Sequence, residues 1–412
     1  MKLVICEKPS VAKAVASALG VTSRVDGCFE GNGLIVSWCV GHLVSPMDAA
    51  GYDPGYKKWK YDDLPILPEP FRYVLAKGKE DAFQNLKRLM DREDVTELVN
   101  ACDAGREGEL IFRLVYEMAG CRKPFSRLWI SSMEDAAIRE GFQNLRPGAE
   151  YDPLYQSALC RQKADWLIGI NATRLFSVLY HRTLNVGRVQ TPTLAMLVDR
   201  DWKISSFKKE KYHHVRLALD GAEAVSEKIA APEEAEALRA ACTGAAVTCT
   251  TVTREQKKEN PPKLYDLTSL QREANRLFGY TAKQTLDYAQ ALYEKKLLTY
   301  PRTDSRYLTA DMAESASAVL HLAARVPSFD GCKEFFPDVT LLVNDKKVSD
   351  HHAIIPTLEL EKASLSELPV GERNILLLVC RELLCAVAEP YVYEAVTATF
   401  TCGGQTLSLI HI

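Results

Sequence analysis

Apolar residues follow two rhythms over the first 150 positions. Residues 3–6 ("LVIC") form a short unbroken apolar run, the pattern of a buried strand. "KPSVAKAVASALG" comes next, with Val11, Ala14, Val15, Ala18 and Leu19 at helical spacing, Pro9 near its head and Gly20 at its end, so it predicts a helix. "GLIVSWCVGHL" is another strand pattern ending at a glycine, and "TELVNACD" a third. Beyond that, Leu110, Ile111, Leu114, Val115 and Met118 mark an amphipathic helix. Repetition of strand, loop and helix predicts an α/β sheet whose working loops lie at the carboxyl ends of the strands.

From Tyr151 the pattern turns helical ("YQSALCRQKADWLIGINATRLFSVLY"), and "GRVQTPTLAMLVDRDW" predicts a further helix. Residues 212–253 look like strands with one inserted helix, "APEEAEALRAAC". Helices return over 267–298 and 310–325. Strand signals resume after Glu389 ("YVYEAVTATFTC"), and the chain stops in mid-pattern at "SLIHI". No repeat or low-complexity linker interrupts this order.

Composition places the 412 residues, 47% hydrophobic and 25% charged, among globular proteins with material for two to four domains. No run of eighteen apolar residues occurs, so no membrane span is expected. The N-terminus enters a strand directly, without the long apolar core of a signal peptide. Twelve cysteines are scattered without a C-x-x-C pair, which removes support for a zinc ribbon or a redox dithiol and favours the reducing cytoplasm. The net charge of −3 is unevenly spread. Residues 151–215 hold ten Lys/Arg against five Asp/Glu, and 254–306 eleven against seven. Two basic segments on an acidic background suit a polyanion, or simply solvated helix faces.

Candidate chemistry sits at the strand ends. Glu7 follows the first strand and adjoins Lys8. In "NACDAGREGELIF", Asp103 follows another strand and Glu107 opens the next helix. If the two strands are neighbours, these carboxylates meet at one edge and suit Mg²⁺, a hard cation that takes one or two carboxylates and keeps several waters. The same loop can also be a helix cap with an acid at the N-terminal dipole. "LLTYPRTDSRYL" puts Tyr300 on a loop beside Arg302; a phenol with a pKa of about 10 is a poor nucleophile unless a cation or base assists it. "SDHHAIIPT" offers His351, suited to holding a phosphate oxygen or moving a proton. "NVGRVQTPTL" presents Arg188 and Gln190 before a helix, as phosphate contacts would require. Each of the last three is also compatible with an ordinary loop. There is no G-x-x-x-x-G-K-[ST] loop, so ATP-driven chemistry is not indicated.

Together these strings resemble type IA DNA topoisomerases, most closely the bacterial topoisomerase III branch. The matching pieces are "EKPSVAKAVA", "WCVGHL", "YKKWKYDDLPILP", "DAGREGELIFRLVY", "RQKADWLIGINATR", "GRVQTPTLAMLVDRD", "YPRTDSRYL" and "HHAIIPT", in the family's order over nearly the whole chain. The resemblance implies a multidomain α/β protein with a mainly α body. An N-terminal Rossmann-like Toprim domain (1–150) would precede a discontinuous toroidal body. That body would comprise a helical strand-binding segment (151–212), an incomplete β-rich arch (213–280 and 389–412) and a helical domain carrying the nucleophile (281–388). It also implies Mg²⁺ as cofactor, DNA as partner and no ATP. Tyr300 would attack a phosphodiester of single-stranded DNA, leaving a 5′-phosphotyrosine bond and a free 3′-hydroxyl. Strand passage and religation would then relax negative supercoils or decatenate DNA. By the same likeness Glu7, Asp103 and Glu107 surround the metal, and Lys8 stabilises the transition state or protonates the leaving oxygen. Arg302 and His351 would support the phosphate, while His42, Trp59, Arg174, Arg188 and Gln190 line the strand path. A bacterial cytoplasmic protein associated with nucleoid or plasmid DNA is expected.

Two departures qualify the match. The usual Asp-x-Asp-x-Glu motif reads Asp103-x-Gly105-x-Glu107, so one Mg²⁺ is expected rather than two. Glu109 lies two residues beyond Glu107 and on a helix faces elsewhere, so it does not replace the missing acid. Family members also continue well past the length seen here, and the chain is expected to be C-terminally incomplete. A Toprim nuclease, or a truncated and non-catalytic DNA-binding protein, are the competing expectations.

Overall fold

The apolar run near the N-terminus becomes β1 (Lys2–Cys6), followed by helix α1 (Pro9–Ala18), which has Pro9 at its first turn. Strands β2 (Ser23–Val25), β3 (Cys28–Gly31) and β4 (Leu34–Trp38) come next, then β5 (Val44–Pro46), the one-turn helix α2 (Ala49–Tyr52), β6 (Tyr73–Leu75) and α3 (Glu80–Met90). β7 (Glu97–Ala101), α4 (Arg106–Met118), β8 (Phe125–Arg127), α5 (Asp135–Gln143) and β9 (Arg146–Pro147) complete the N-terminal segment. The computed structural model describes residues 1–332, 338–348 and 351–411.

Seven of these strands form one sheet in the order β2-β3-β4-β1-β7-β8-β9. β1 pairs in parallel with both β4 and β7, Cys6 standing opposite Trp38 on one side and Ala101 on the other. The residues that follow, Glu7 and Cys102–Asp103, therefore leave adjacent strands at the same level. Alternation sends Leu3 and Ile5 into one core with Phe83, Leu86 and Leu114, and Val4 and Cys6 into the other with Val11, Val15 and Ile138. Burying each such aliphatic side chain contributes roughly 1.5–3 kcal/mol, so the register that aligns the strand ends is strongly specified.

The helical segments follow as α6 (Asp152–Leu179) and α7 (Gln190–Ser205). Next come β10 (Arg216–Leu219), β11 (Ala222–Val225), α8 (Pro232–Cys242) and β12 (Thr248–Glu259). The helical run expected over 267–298 is two helices, α9 (Leu267–Phe278) and α10 (Ala282–Glu294). Gly279 ends α9 in the left-handed region at φ 69°, and Thr281 starts α10 with a capping box to Gln284. α11 (Ala313–Ala324), α12 (Val370–Ala386), β13 (Tyr391–Cys402) and β14 (Gln405–His411) close the chain. The terminal strand pattern thus pairs fully with β13 and touches β11 at Val225–Ser408.

The chain divides into two compact units, residues 1–194 with 263–387, and 195–262 with 388–412. The second is a five-stranded antiparallel sheet, β10-β11-β14-β13-β12, carrying α8. These limits differ from the expected ones: residues 195–212, expected with the helical segment, fall in the second unit, and two other stretches fall in the first. Residues 263–280, assigned to the arch from sequence, belong with the first unit, because Leu264, Tyr265, Leu270 and Ala274 pack in the same core as Leu298, Ile354 and Leu383. Residues 151–194 also join the first unit: Tyr155 and Ala158 of α6 complete the core around Phe112.

Candidate active site

Glu7 and Asp103 leave β1 and β7 side by side, and a cavity of about 400 Å³ opens at that edge. Its wall includes Glu7, Asp103, Glu107, Tyr300, Arg302 and His351, six residues expected from sequence, and adds Arg106, Arg161 and Asp304. Tyr300 arrives because two distant strings run antiparallel. Thr299 N donates to Ile355 O at 3.0 Å, and Thr357 N donates to Leu297 O at 3.2 Å. Thr303 Oγ1 donates to His351 O at 3.0 Å, fixing the next turn. Ser349 and Asp350 of the "SDHHAIIPT" string lie outside the described residues.

This paired segment is seated against the N-terminal sheet. Tyr300 N donates to Ser131 O at 3.2 Å, and the Tyr300 hydroxyl donates to Asp103 Oδ2 at 3.3 Å. His351 Nε2 meets Ala104 O, which can only accept, so Nε2 carries a proton; Nδ1 is 3.2 Å from Ser131 Oγ. The Tyr300 and His351 rings lie 4.4 Å apart, and Tyr293 of α10 packs against Tyr300 at 5.4 Å.

Burial, then the neighbouring Asp103 carboxylate, pushes the Tyr300 phenol well above its ordinary pKa, and Arg302 opposes them. Burial and Asp103 likewise push Glu7 up to about 7, against Lys8, Arg302 and His42. Glu107 behaves differently: a hydrogen bond from His42 is the main cause holding its carboxyl below the usual range, and Arg161 adds to it. His42 Nε2 and Arg161 Nη1 each stand 3.4 Å from a Glu107 oxygen. The Glu7–Asp103 repulsion is what a cation at this edge would relieve. Among the described residues no three His, Cys, Asp or Glu side chains converge as a ready cage. The donors fit a largely hydrated Mg²⁺ held by one or two carboxylates, rather than a caged zinc-like ion.

The remaining expected residues are placed apart. Lys8 Nζ lies 3.8 Å from Glu294 Oε1 rather than on the cavity wall. Trp59 is exposed, with the Arg174 guanidinium 5.5 Å from its ring centre. Arg174 itself is buried and donates to Tyr56 O at 2.8 Å, so it braces the Trp59 segment. Arg188 pairs with Asp165 (Nε–Oδ1 2.6 Å), and Gln190 heads α7 with its amide folded over Gly187.

Residues given no role in the expected site hold the loop in shape. Arg127 is fully buried; its Nη1 donates to the carbonyls of Asn100 (3.0 Å), Cys102 (2.7 Å) and Leu128 (2.9 Å), and its Nη2 to Asp103 O (2.6 Å). Arg127 Nε comes within 3.1 Å of Glu109 Oε2, although its N–H is not aligned for a hydrogen bond. Glu109 is fully buried too and accepts from Asn100 Nδ2 (2.9 Å) and Arg113 Nε (2.8 Å). It turns inward, away from the cavity that Glu107 lines. Gly108 is required by close approach: a Cβ there would stand 2.1 Å from Asp103 O. Arg161 opens the string "RQKADWLIGINATR", but nothing local marks it as the member facing Glu107.

A DNA topoisomerase family model matches residues 149–410, and a Toprim domain model matches 2–133. DNA topoisomerase 3 of Shouchella clausii is 41% identical over 421 residues, which cover 98% of this chain and 57% of that protein. The protein of the same name from Bacillus subtilis is 40% identical over 418 residues, with the same coverages. The chain thus spans 57% of the length of these curated relatives. The structure of full-length topoisomerase I from Thermotoga maritima shares the fold, with a TM-score of 0.73 at 24% identity over 99% of this chain and 65% of that one. On these matches the chain belongs to the type IA DNA topoisomerase family, with a Toprim domain at its N-terminus.

Proposed function

We propose that this chain cleaves and rejoins one strand of DNA through Tyr300. The observation that carries the reading is the Tyr300 hydroxyl 3.3 Å from Asp103, in a cavity that Glu7, Glu107, Arg302 and His351 also line. As the Tyr300 Oη–P bond forms, the P–O3′ bond of the phosphodiester breaks. The phenolic proton leaves toward Asp103 Oδ2, the nearest acceptor. The departing 3′ oxygen takes a proton from Lys8, once its ammonium leaves Glu294. Arg302 offsets charge on the phosphate oxygens, and His351 would add its Nε2–H once that group leaves Ala104 O. Reversal of the same steps rejoins the strand, and the energy kept in the phosphotyrosine bond explains why no ATP is needed.

The family is generally magnesium-dependent, and here Asp103 and Glu107, with Glu7 beside them, would hold Mg²⁺. When bound, it would screen the phosphate charge against the carboxylates. His42, Trp59, Arg174, Arg188 and Gln190 are assigned to the path of a single strand, Trp59 by stacking and Arg174 by supporting it. Relaxation of negative supercoils or decatenation, in the cytoplasm on nucleoid or plasmid DNA, completes the reading. No helix among the described residues is long and apolar enough to cross a membrane.

The test is a single-stranded oligonucleotide labelled at its 5′ side or its 3′ side, incubated with protein and Mg²⁺ and then denatured. A covalent adduct to the strand carrying the 5′-phosphate is expected, lost in Tyr300→Phe and without Mg²⁺. A nicked product with no adduct would instead indicate a Toprim nuclease. DNA binding with neither product would indicate a non-catalytic protein.

A further inference from the structure

Tyr307 stands seven residues beyond Tyr300, outside the cleavage cavity, and two lysines from distant segments close on it. Lys263 Nζ lies 5.4 Å from its ring centre and Lys347 Nζ 5.0 Å. Local bonds hold both backbones there. Arg306 donates from Nη2 to Lys263 O (3.1 Å) and from Nε to Leu264 O (2.9 Å), while Ser305 Oγ donates to Lys347 O (3.0 Å). Both lysines are exposed, and among the described residues neither ammonium forms an ion pair with a carboxylate. The acid nearest Lys347 in sequence, Asp345, accepts from Ala310 N at 2.8 Å, and the one nearest Lys263, Asp266, accepts from Ser269 N at 2.6 Å. Hydrogen bonding from the Lys263 ammonium, reinforced by Lys347, holds the Tyr307 phenol below its ordinary pKa. Two like charges gathered on one phenol, with no carboxylate between them among the described residues, form a site for an oxyanion.

We propose that Lys263, Tyr307 and Lys347 form a notch that binds a backbone phosphate of the DNA strand whose cleavage is assigned to Tyr300. The inference rests on DNA being the substrate of that site. Extended backbone from Tyr300 to Tyr307 spans at most about 25 Å, so one strand can reach both places. The two ammonium ions take the phosphate oxygens, and the phenol donates a third hydrogen bond.

The experiment measures Kd for a single-stranded oligonucleotide by anisotropy across a salt series, using the full chain. Compared are the natural protein, Lys263→Gln/Lys347→Gln, and the control Lys13→Gln/Lys77→Gln, which removes two exposed charges elsewhere. The expected result is a several-fold weaker Kd in the first pair and a salt slope shallower by about 0.7, the contribution of one neutralised phosphate. Lys347→Gln alone should move both readings in the same direction, which covers misfolding of the double variant. An unchanged slope, or an equal fall in the control pair, would overturn the notch while leaving DNA binding intact. Failure of the natural protein to bind the oligonucleotide would overturn the DNA reading itself, a separate outcome.

Discussion

Glu109→Gln exchanges one carboxylate oxygen for an amide nitrogen in a place that water does not reach, and its consequence can be worked out from the contacts. Glu109 and Arg127 are both fully buried, and the carboxylate is the anion that compensates the Arg127 guanidinium. Burial disfavours the Arg127 charge, and Glu109 is the largest influence opposing it. Removing one member of a buried ion pair costs about 3–5 kcal/mol, because the other charge stays behind uncompensated. In a unit of more than 300 residues, 1 kcal/mol moves Tm by about 1–2 °C, so a fall of roughly 3–10 °C is expected. The loss reaches the active site, since Arg127 ties down the carbonyls of Asn100, Cys102 and Asp103. Covalent adduct formation should therefore fall well below the natural level at a temperature where the variant is still folded. The assay is thermal unfolding by circular dichroism, with adduct yield measured alongside. A double-mutant cycle with Arg127→Met isolates the pair, and the two losses together should be smaller than their sum by at least about 1 kcal/mol. A Tm within 2 °C of the natural protein, or strictly additive losses, would refute the reasoning.

Two further substitutions probe the loop itself. Gly108→Ala places a methyl group 2.1 Å from Asp103 O and 2.9 Å from Asp103 N, a clash with backbone that no side-chain rotation relieves. Displacement of Asp103, loss of the adduct and destabilisation of about 1–3 kcal/mol are expected by denaturant titration, and a fully active variant would contradict this placement. Gly105→Asp meets no atom within 4 Å, and the backbone at φ 169° is extended, which any residue adopts. It should fold and gain more thermal stabilisation from Mg²⁺ than the natural protein does, since it restores a carboxylate beside Asp103. An identical Mg²⁺-dependent rise in Tm for both proteins would show that position 105 does not face the ion.

Much of this arrangement is legible in the sequence because it is local. Residues 3–6 and "TELVNACD" read as buried strands from their apolar runs, and the helix after Asp103 read from its 3.6-residue period. Placing Glu7 and Asp103 at strand ends needed only those patterns. That the strands are neighbours is a matter of register: Cys6 faces Ala101 because Leu3, Val4, Leu98 and Val99 all become buried in that pairing. Lys8 shows the limit. Its place in the chain suggested the catalytic edge, yet its ammonium lies by Glu294 of α10, a partner nearly three hundred residues away.

Taken alone, the sequence determined the α/β character of the first 150 residues, the acids at the strand ends and the Tyr-Pro-Arg-Thr-Asp string, since periodicity and turn chemistry act over a few residues. The tertiary structure decided which of these meet. Hydrogen bonds between residues 297–303 and 351–357 carry Tyr300 to Ser131 and Asp103. The inward turn of Glu109 toward Arg127, and the outward one of Glu107 toward His42 and Arg161, follow from the face of α4 that the core covers. Long-range contacts of this kind depend on which surfaces exclude water together, and a linear pattern does not state that.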